Sequence, residues 1–155
     1  MKNTSLCYIE KDGKYLMLHR IKKENDVNRD KWIGVGGRFE EGESPEECAK
    51  REIFEETGLF VNNLFYKGIV TFDCPPYETD YMHLFKSTDF SGKLCECEEG
   101  VLEWVKKEDL KKLPLWEGDF VFLDLLEEDI PFFSLKLSYR GDVLTKAVLN
   151  GERIK

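Results

Sequence analysis

An α/β fold built on a mixed sheet is the architecture this sequence predicts, and three observations carry it. β-rich runs recur from the N-terminus to the C-terminal tail. Two helical segments interrupt them, one with complete start and stop signals. Strands and helices interleave without the regular spacing of a doubly wound sheet, so a mixed sheet covered by helices fits best. The chain has 155 residues, which favours one domain over residues 1–155 with enough chain to bury a core. Hydrophobic residues at 41% and charged residues at 35% argue against a disordered or low-complexity polypeptide.

Residues 4–10 and 15–20 are β-rich and flank Lys11-Asp12-Gly13-Lys14. The Asp-Gly pair suits a tight hairpin turn because glycine tolerates positive φ. A charged loop follows over residues 21–31, then a Gly-rich strand and turn over 32–39. Ser44-Pro45-Glu46-Glu47 starts a helix: Ser44 caps, Pro45 fits the first helical position and Glu47 completes a capping box. That helix is expected to run to Thr57 and stop at Gly58, where a left-handed cap is wanted. Further strands are expected over residues 61–72, 81–87 and 102–105. Residues 116–126 read as a second helix approached through Pro114. The tail alternates like a half-buried strand over 134–139, turns at Arg140-Gly141-Asp142 and returns over 143–149.

Twenty-three Lys and Arg stand against 31 Asp and Glu, a formal net of −8. Such a chain lacks the clustered cations of a duplex-binding protein, yet an acidic protein can bind phosphate by recruiting metal ions first. The five cysteines, Cys7, Cys48, Cys74, Cys95 and Cys97, come without a secretion signal and are expected to be free thiols. Cys95-Glu96-Cys97 has no second Cys pair, and only His19 and His83 are present, which argues against structural zinc. No apolar run approaches the roughly 20 residues of a membrane span, and the first ten residues meet charge too early for a signal-peptide core. A cytoplasmic protein, monomer or homodimer, without a membrane partner is the expectation.

The chemistry concentrates in the first helix. Glu52, Glu55 and Glu56 stand at i, i+3 and i+4 and share a face. Three adjacent like charges weaken a bare helix, but the arrangement becomes favourable around a divalent cation. Carboxylates without His or Cys select hard ions, Mg²⁺ or Mn²⁺. Arg51 lies one turn from Glu47 and Glu55 and can hold a carboxylate in a bidentate bond, while Glu43 adds an acid near the helix start. Ala49, Ile53 and Phe54 form the packing side. The alternative is a solvated acidic helix.

Together the residues read Gly37-x5-Glu43-x7-Arg51-Glu52-Ile53-x-Glu55-Glu56-x-Gly58-Leu59. This string resembles the signature of the Nudix hydrolases at every fixed position. The resemblance implies an α/β/α sandwich and hydrolysis of a nucleoside diphosphate linked to another group X, with Mg²⁺ as the usual cofactor. It implies metal ligation by Glu52, Glu55 and Glu56 and by the Gly36 carbonyl, with Arg51 orienting them. A further acid is expected from a later loop, either Glu98 or Glu99. Independently of the family, cations neutralise pyrophosphate charge and lower the pKa of water, and a carboxylate accepts the proton. Glu52, Glu56 and the loop acid are the candidates, with Glu52 preferred.

Lys31-Trp32-Ile33-Gly34-Val35-Gly36-Gly37-Arg38 and Leu115-Trp116-Glu117-Gly118-Asp119-Phe120 resemble the MutT-type oxidised-purine nucleoside triphosphatases. That likeness implies that Trp116 packs against a base and Asp119 bonds a purine edge. Ile33 stands where that branch carries a base-reading Asn, and Gly118-Asp119 keeps one acid of a pair. A nucleoside triphosphate, 8-oxo-dGTP or another modified purine, is therefore expected as substrate, with relaxed preference. Arg20 and Arg38 are phosphate-binding candidates or ordinary surface charges. Trp116 is equally a core candidate, as Phe120 and Leu123 are expected to be. His83 reads as structural, and Phe132-Phe133 as packing or a dimer contact. ADP-ribose, dinucleotides or capped RNA as substrates, or a nucleotide-sensing domain without catalysis, are the competing readings.

Overall fold

A computed structural model describes all 155 residues. Strands β1 (Lys2–Lys11) and β2 (Lys14–His19) form the expected hairpin, with Glu10 opposite Tyr15. Asp12 and Gly13 take φ of 52° and 75°, the two positive values a two-residue turn between twisted strands requires. Beyond the turn the strands separate, and a Gly-rich segment fills the gap. Its strand β3 (Trp32–Ile33) pairs with the end of β2, while Val35 and Arg38 bridge back to Cys7 and Thr4 of β1. A Cβ on Gly36 would run into the Ser5 backbone carbonyl. Glycine is required there by the closeness of the two backbones.

Helix α1 (Pro45–Thr57) begins and ends as its residues dictate. Ser44 Oγ accepts the Glu47 N–H at 3.1 Å, and the Glu47 carboxylate accepts the Ser44 N–H at 2.9 Å. Gly58 closes the helix in the left-handed region with φ of 79°, its N–H donating to the Phe54 carbonyl at 2.8 Å. Ala49 and Ile53 are buried against Cys7, Ile9, Leu18 and Phe85, and Cys48 is buried with its thiol toward Ser5 Oγ and the Gly37 carbonyl. Phe54 departs from expectation: it is about half exposed and stacks on Phe60 outside the core.

Strands β5 (Phe65–Asp73), β6 (Asp80–Ser87), β9 (Phe133–Arg140) and β10 (Val143–Leu149) build the rest of the main sheet. A short strand, β11 (Glu152–Arg153), extends one edge. The order is β11-β10-β9-β5-β6-β1-β2-β3, with β8 (Val101–Lys106) on the other side of β2. The β1–β6 and β5–β9 pairs are parallel and the others antiparallel, so the sheet is mixed. Helix α2 (Asp119–Leu126) covers the opposite face from α1, burying Phe122, Leu123 and Leu126 with Tyr8, Tyr15 and Leu135. No helix is long and apolar enough to cross a membrane.

Four boundaries differ from the sequence reading. The strand expected over 61–72 is two strands, β4 (Leu59–Val61) and β5. Asn63 breaks it: its Oδ1 accepts from Ser87 Oγ and from the N–H groups of Thr88 and Asp89. Residues 90–92 form a further strand, β7 (Phe90–Gly92), paired with β4. Lys107–Lys112 forms an unexpected 3₁₀ helix. The second helix starts three residues late, because Gly118 packs its backbone on Leu137 and donates its N–H to Tyr139 Oη at 2.8 Å. His83 is structural, bonded to Tyr66 and, at 3.0 Å, to Asn3. Phe133 is core, and Phe132 is exposed.

Ser44→Ala removes one cap hydrogen bond and is expected to cost about 1 kcal/mol. Gly58→Ala is expected to cost more, because its Cβ is strained by the positive φ and also lies 2.6 Å from the Lys93 carbonyl. Urea unfolding of both variants checks the order.

Candidate active site

The acidic face of α1 is organised by one guanidinium. Arg51 Nε and Nη2 bond the two Glu43 oxygens at 2.6 and 2.8 Å. Nη1 bonds Glu52 Oε1 at 2.7 Å and Glu55 Oε2 at 3.2 Å, and Nη2 also donates to the Arg38 carbonyl at 2.9 Å. The Glu43 bond draws that carboxyl down to about 2. Burial raises the Glu52 pKa above the carboxylate norm despite Arg51. Gly37 makes room for this group, since a Cβ there would strike the Glu52 carboxylate.

Glu56 lies deeper. Its Oε1 accepts the Gly36 N–H at 2.7 Å, while Oε2 is buried without a donor. The neighbouring group is the Glu99 carboxylate. Burial first, then this contact, raises the Glu56 pKa; Glu99 is lowered, its own burial outweighed by Glu56, Arg20 and Lys23. Two carboxylates facing each other need a proton or a cation between them. The Gly36 carbonyl is free of the adjoining ladder, where Ser5 and Cys7 donate to Gly37 and Val35. An oxygen-only set of Glu52, Glu56, Glu99 and the Gly36 carbonyl, with Glu55 at the rim, fits a hard divalent ion. The fit is one of donor chemistry: no three acidic, His or Cys side chains are gathered in chelating geometry, and Arg51 and Arg20 hold Glu52 and Glu99.

Arg20 sets Glu99 apart from Glu98 in placement. Arg20 Nη1 bonds Glu99 Oε2 at 2.8 Å and Nε bonds Asp26 Oδ2 at 2.6 Å. Glu99 is thereby turned to Glu56, whereas Glu98 is exposed.

A cavity of about 240 Å³ lies beside this cluster, lined among others by Ile33, Phe72, Met82, Trp116 and Asp119. Trp116 packs edge-on to Phe72 and Tyr139, with the Lys31 ammonium 4.9 Å over its ring. Its Nε1–H donates to Asn28 Oδ1 at 2.8 Å. Asp119 is buried beside the phenols of Tyr8 and Tyr139, and burial pushes its carboxyl up to about 8 against the pull of Lys31.

Of the residues singled out in the sequence, Ile33, Trp116 and Asp119 meet in the cavity, and Gly36, Arg51, Glu52, Glu55 and Glu56 meet in the acidic cluster. Arg20 does not line the cavity. Arg38 is exposed at its rim, 3.3 Å from the cavity residue Glu78. Trp116 is both buried and cavity-lining. Sequence reasoning missed Asn28, Asp26 and Glu78, loop residues without periodic or motif signal.

A family profile described as NUDIX domain matches residues 2–126. An uncharacterized Nudix hydrolase of Bacillus subtilis is 31% identical, over 92% of this chain and 95% of that one. A Danio rerio protein named oxidized purine nucleoside triphosphate hydrolase is 32% identical over 83% of each chain. The crystal structure of a MutT protein from Bacillus halodurans superposes with a TM-score of 0.81 at 28% identity, over 98% of this chain and 99% of that one.

Asp119 predicts a pH signature. Its unfolded pKa is near 3.9 and its folded value about 8, so between them the folded state holds a proton that the unfolded chain has lost. Its stability contribution is greatest below about pH 4 and falls as pH rises through 8, by at most about 1.4 kcal/mol per pH unit. Asp119→Asn keeps the shape without the titration. Melting temperatures from pH 5 to 9 are expected to fall more steeply for the wild type than for this variant.

Proposed function

The chain belongs to the Nudix family of pyrophosphohydrolases, enzymes that generally use divalent metal ions, and we propose that it hydrolyses a purine nucleoside triphosphate to monophosphate and pyrophosphate with Mg²⁺. One observation carries this reading. Ile33 on the cavity wall and Gly36 on the acidic cluster lie three residues apart on one glycine-rich segment. A base in the cavity would then leave its phosphate chain beside the carboxylates. The triphosphate activity named for the Danio rerio relative supports the same substrate class, with 8-oxo-dGTP as a candidate.

In this reading Glu52, Glu56, Glu99 and the Gly36 carbonyl hold the cation, and Glu55 adds a ligand at the exposed rim. The cation supplies charge neutralisation on the phosphates and acidifies water. Arg51 is a positioning residue: its bonds to Glu43 and the Arg38 carbonyl fix the guanidinium, and the guanidinium fixes Glu52. With Oε1 held by Arg51, Glu52 presents Oε2 either to the cation or, as the preferred base, to the water that attacks phosphorus. Arg20 holds Glu99 in place. Arg38, exposed at the rim, is available to a phosphate.

Nucleoside monophosphate formation from 8-oxo-dGTP, dGTP, dATP and ADP-ribose, with Mg²⁺ and with EDTA, tests the proposal; pyrophosphate is the co-product of the triphosphates and ribose 5-phosphate that of ADP-ribose. Triphosphates are expected to turn over with Mg²⁺ alone, and exclusive turnover of ADP-ribose would overturn the substrate reading. Glu56→Gln is expected to lower kcat by about 10²- to 10⁴-fold. Near-normal turnover in that variant would remove Glu56 from the metal site.

A further inference from the structure

Asn28 is tied at three points. Its N–H donates to Asp26 Oδ1 at 3.0 Å, and its carbonyl accepts the Lys31 N–H at 2.8 Å. Its side-chain Oδ1 accepts the Trp116 Nε1–H at 2.8 Å. An indole nitrogen only donates, so the amide has one available orientation, with Oδ1 on Trp116 and Nδ2 facing away from it. No protein acceptor takes an Nδ2 proton, and Asn28 lines the cavity with Ile33, Trp116 and Asp119. A donor of fixed orientation at a cavity wall calls for an acceptor on the ligand.

Asp119 supplies the complementary group. Protonated or not, its carboxyl keeps at least one acceptor oxygen. Donor from one residue and acceptor from the other match a base edge on which an oxo group adjoins a ring N–H. An exocyclic amino group against Nδ2 would oppose two donors and leave both unpaired, the kind of mismatch that discriminates strongly. Ile33 offers no polar atom to share the task.

We infer that Asn28 is a specificity-determining residue that donates from Nδ2 to an exocyclic oxo group of the bound base, favouring 6-oxopurines over 6-aminopurines. The inference rests on the cavity being the base site. Asp26 acts as a positioning residue, bonding the Asn28 N–H through one oxygen and Arg20 through the other.

Two substitutions test it. Asn28→Asp keeps an acceptor for Trp116 and converts the free donor into an acceptor, while Asn28→Ala removes both. Calorimetric titration with GMP and AMP in EDTA reads base preference without turnover, and the GMP-to-AMP affinity ratio cancels any general charge effect. The wild type is expected to prefer GMP by about tenfold or more. Asn28→Asp should lower that ratio by about 10- to 100-fold, and Asn28→Ala should level it. An equal ratio in all three proteins, or a wild type without preference, overturns the inference. The kcat/KM ratio for dGTP and dATP is followed separately with Mg²⁺. Absent triphosphate turnover beside an intact, Asn28-dependent preference in binding would sink the proposed reaction and leave the role of Asn28 standing.

Discussion

The site depends on how Arg51 resolves a conflict of charge. Glu43, Glu52 and Glu55 crowd one side of a helix whose last turn carries no basic residue, and their mutual repulsion would unravel or scatter them. One guanidinium reaches all three and a backbone carbonyl besides. Planar geometry makes this possible, since a lysine ammonium at the same place would be a point charge without the fork. The surrounding backbone follows. The Arg38 carbonyl is drawn to the helix, and the glycine-rich segment lies close enough to β1 that Gly36 tolerates no side chain.

Electrostatic order differs between the two sides of the cluster. On the Arg51 side every carboxylate has a cationic partner. On the inner side, Glu56 faces Glu99 and is buried with one oxygen unpaired. The acidic cluster is therefore graded, from carboxylates paired with Arg51 near the surface to a buried carboxylate pair at depth that needs a proton or a cation between its members. The cavity beside them is more apolar, with Trp116, Phe72 and Met82 in its walls and Asp119 held in a mostly neutral form at neutral pH. Neighbouring regions of such different polarity suit a ligand with a flat aromatic end and a polyanionic end.

Much of this was legible in the sequence because its signals are local. The Asp-Gly turn, the Ser44 capping box, the Gly58 stop and the i, i+3, i+4 carboxylates are each complete within a few residues, and each is found where expected. Features settled by distant partners were not legible. Asn63 interrupts a strand through bonds to Ser87, Thr88 and Asp89, and Gly118 delays a helix because Leu137 and Tyr139 press on it. Glu99 rather than Glu98 is turned to Glu56 because of its bond to Arg20, far away along the chain. Asn28 carries no signal beyond polarity, and only the Trp116 indole gives its amide a direction.

The charged loop between β2 and β3 joins two tasks that a modular enzyme would keep apart. Through Asp26, one carboxylate contacts both Asn28 in the cavity and Arg20, which holds Glu99. Grafting another loop here to alter ligand choice would thus also disturb the acid that faces Glu56. A change of the Asn28 side chain leaves its backbone bond to Asp26 in place, whereas loss of Asp26 would free the Asn28 N–H and one bond of Arg20 together.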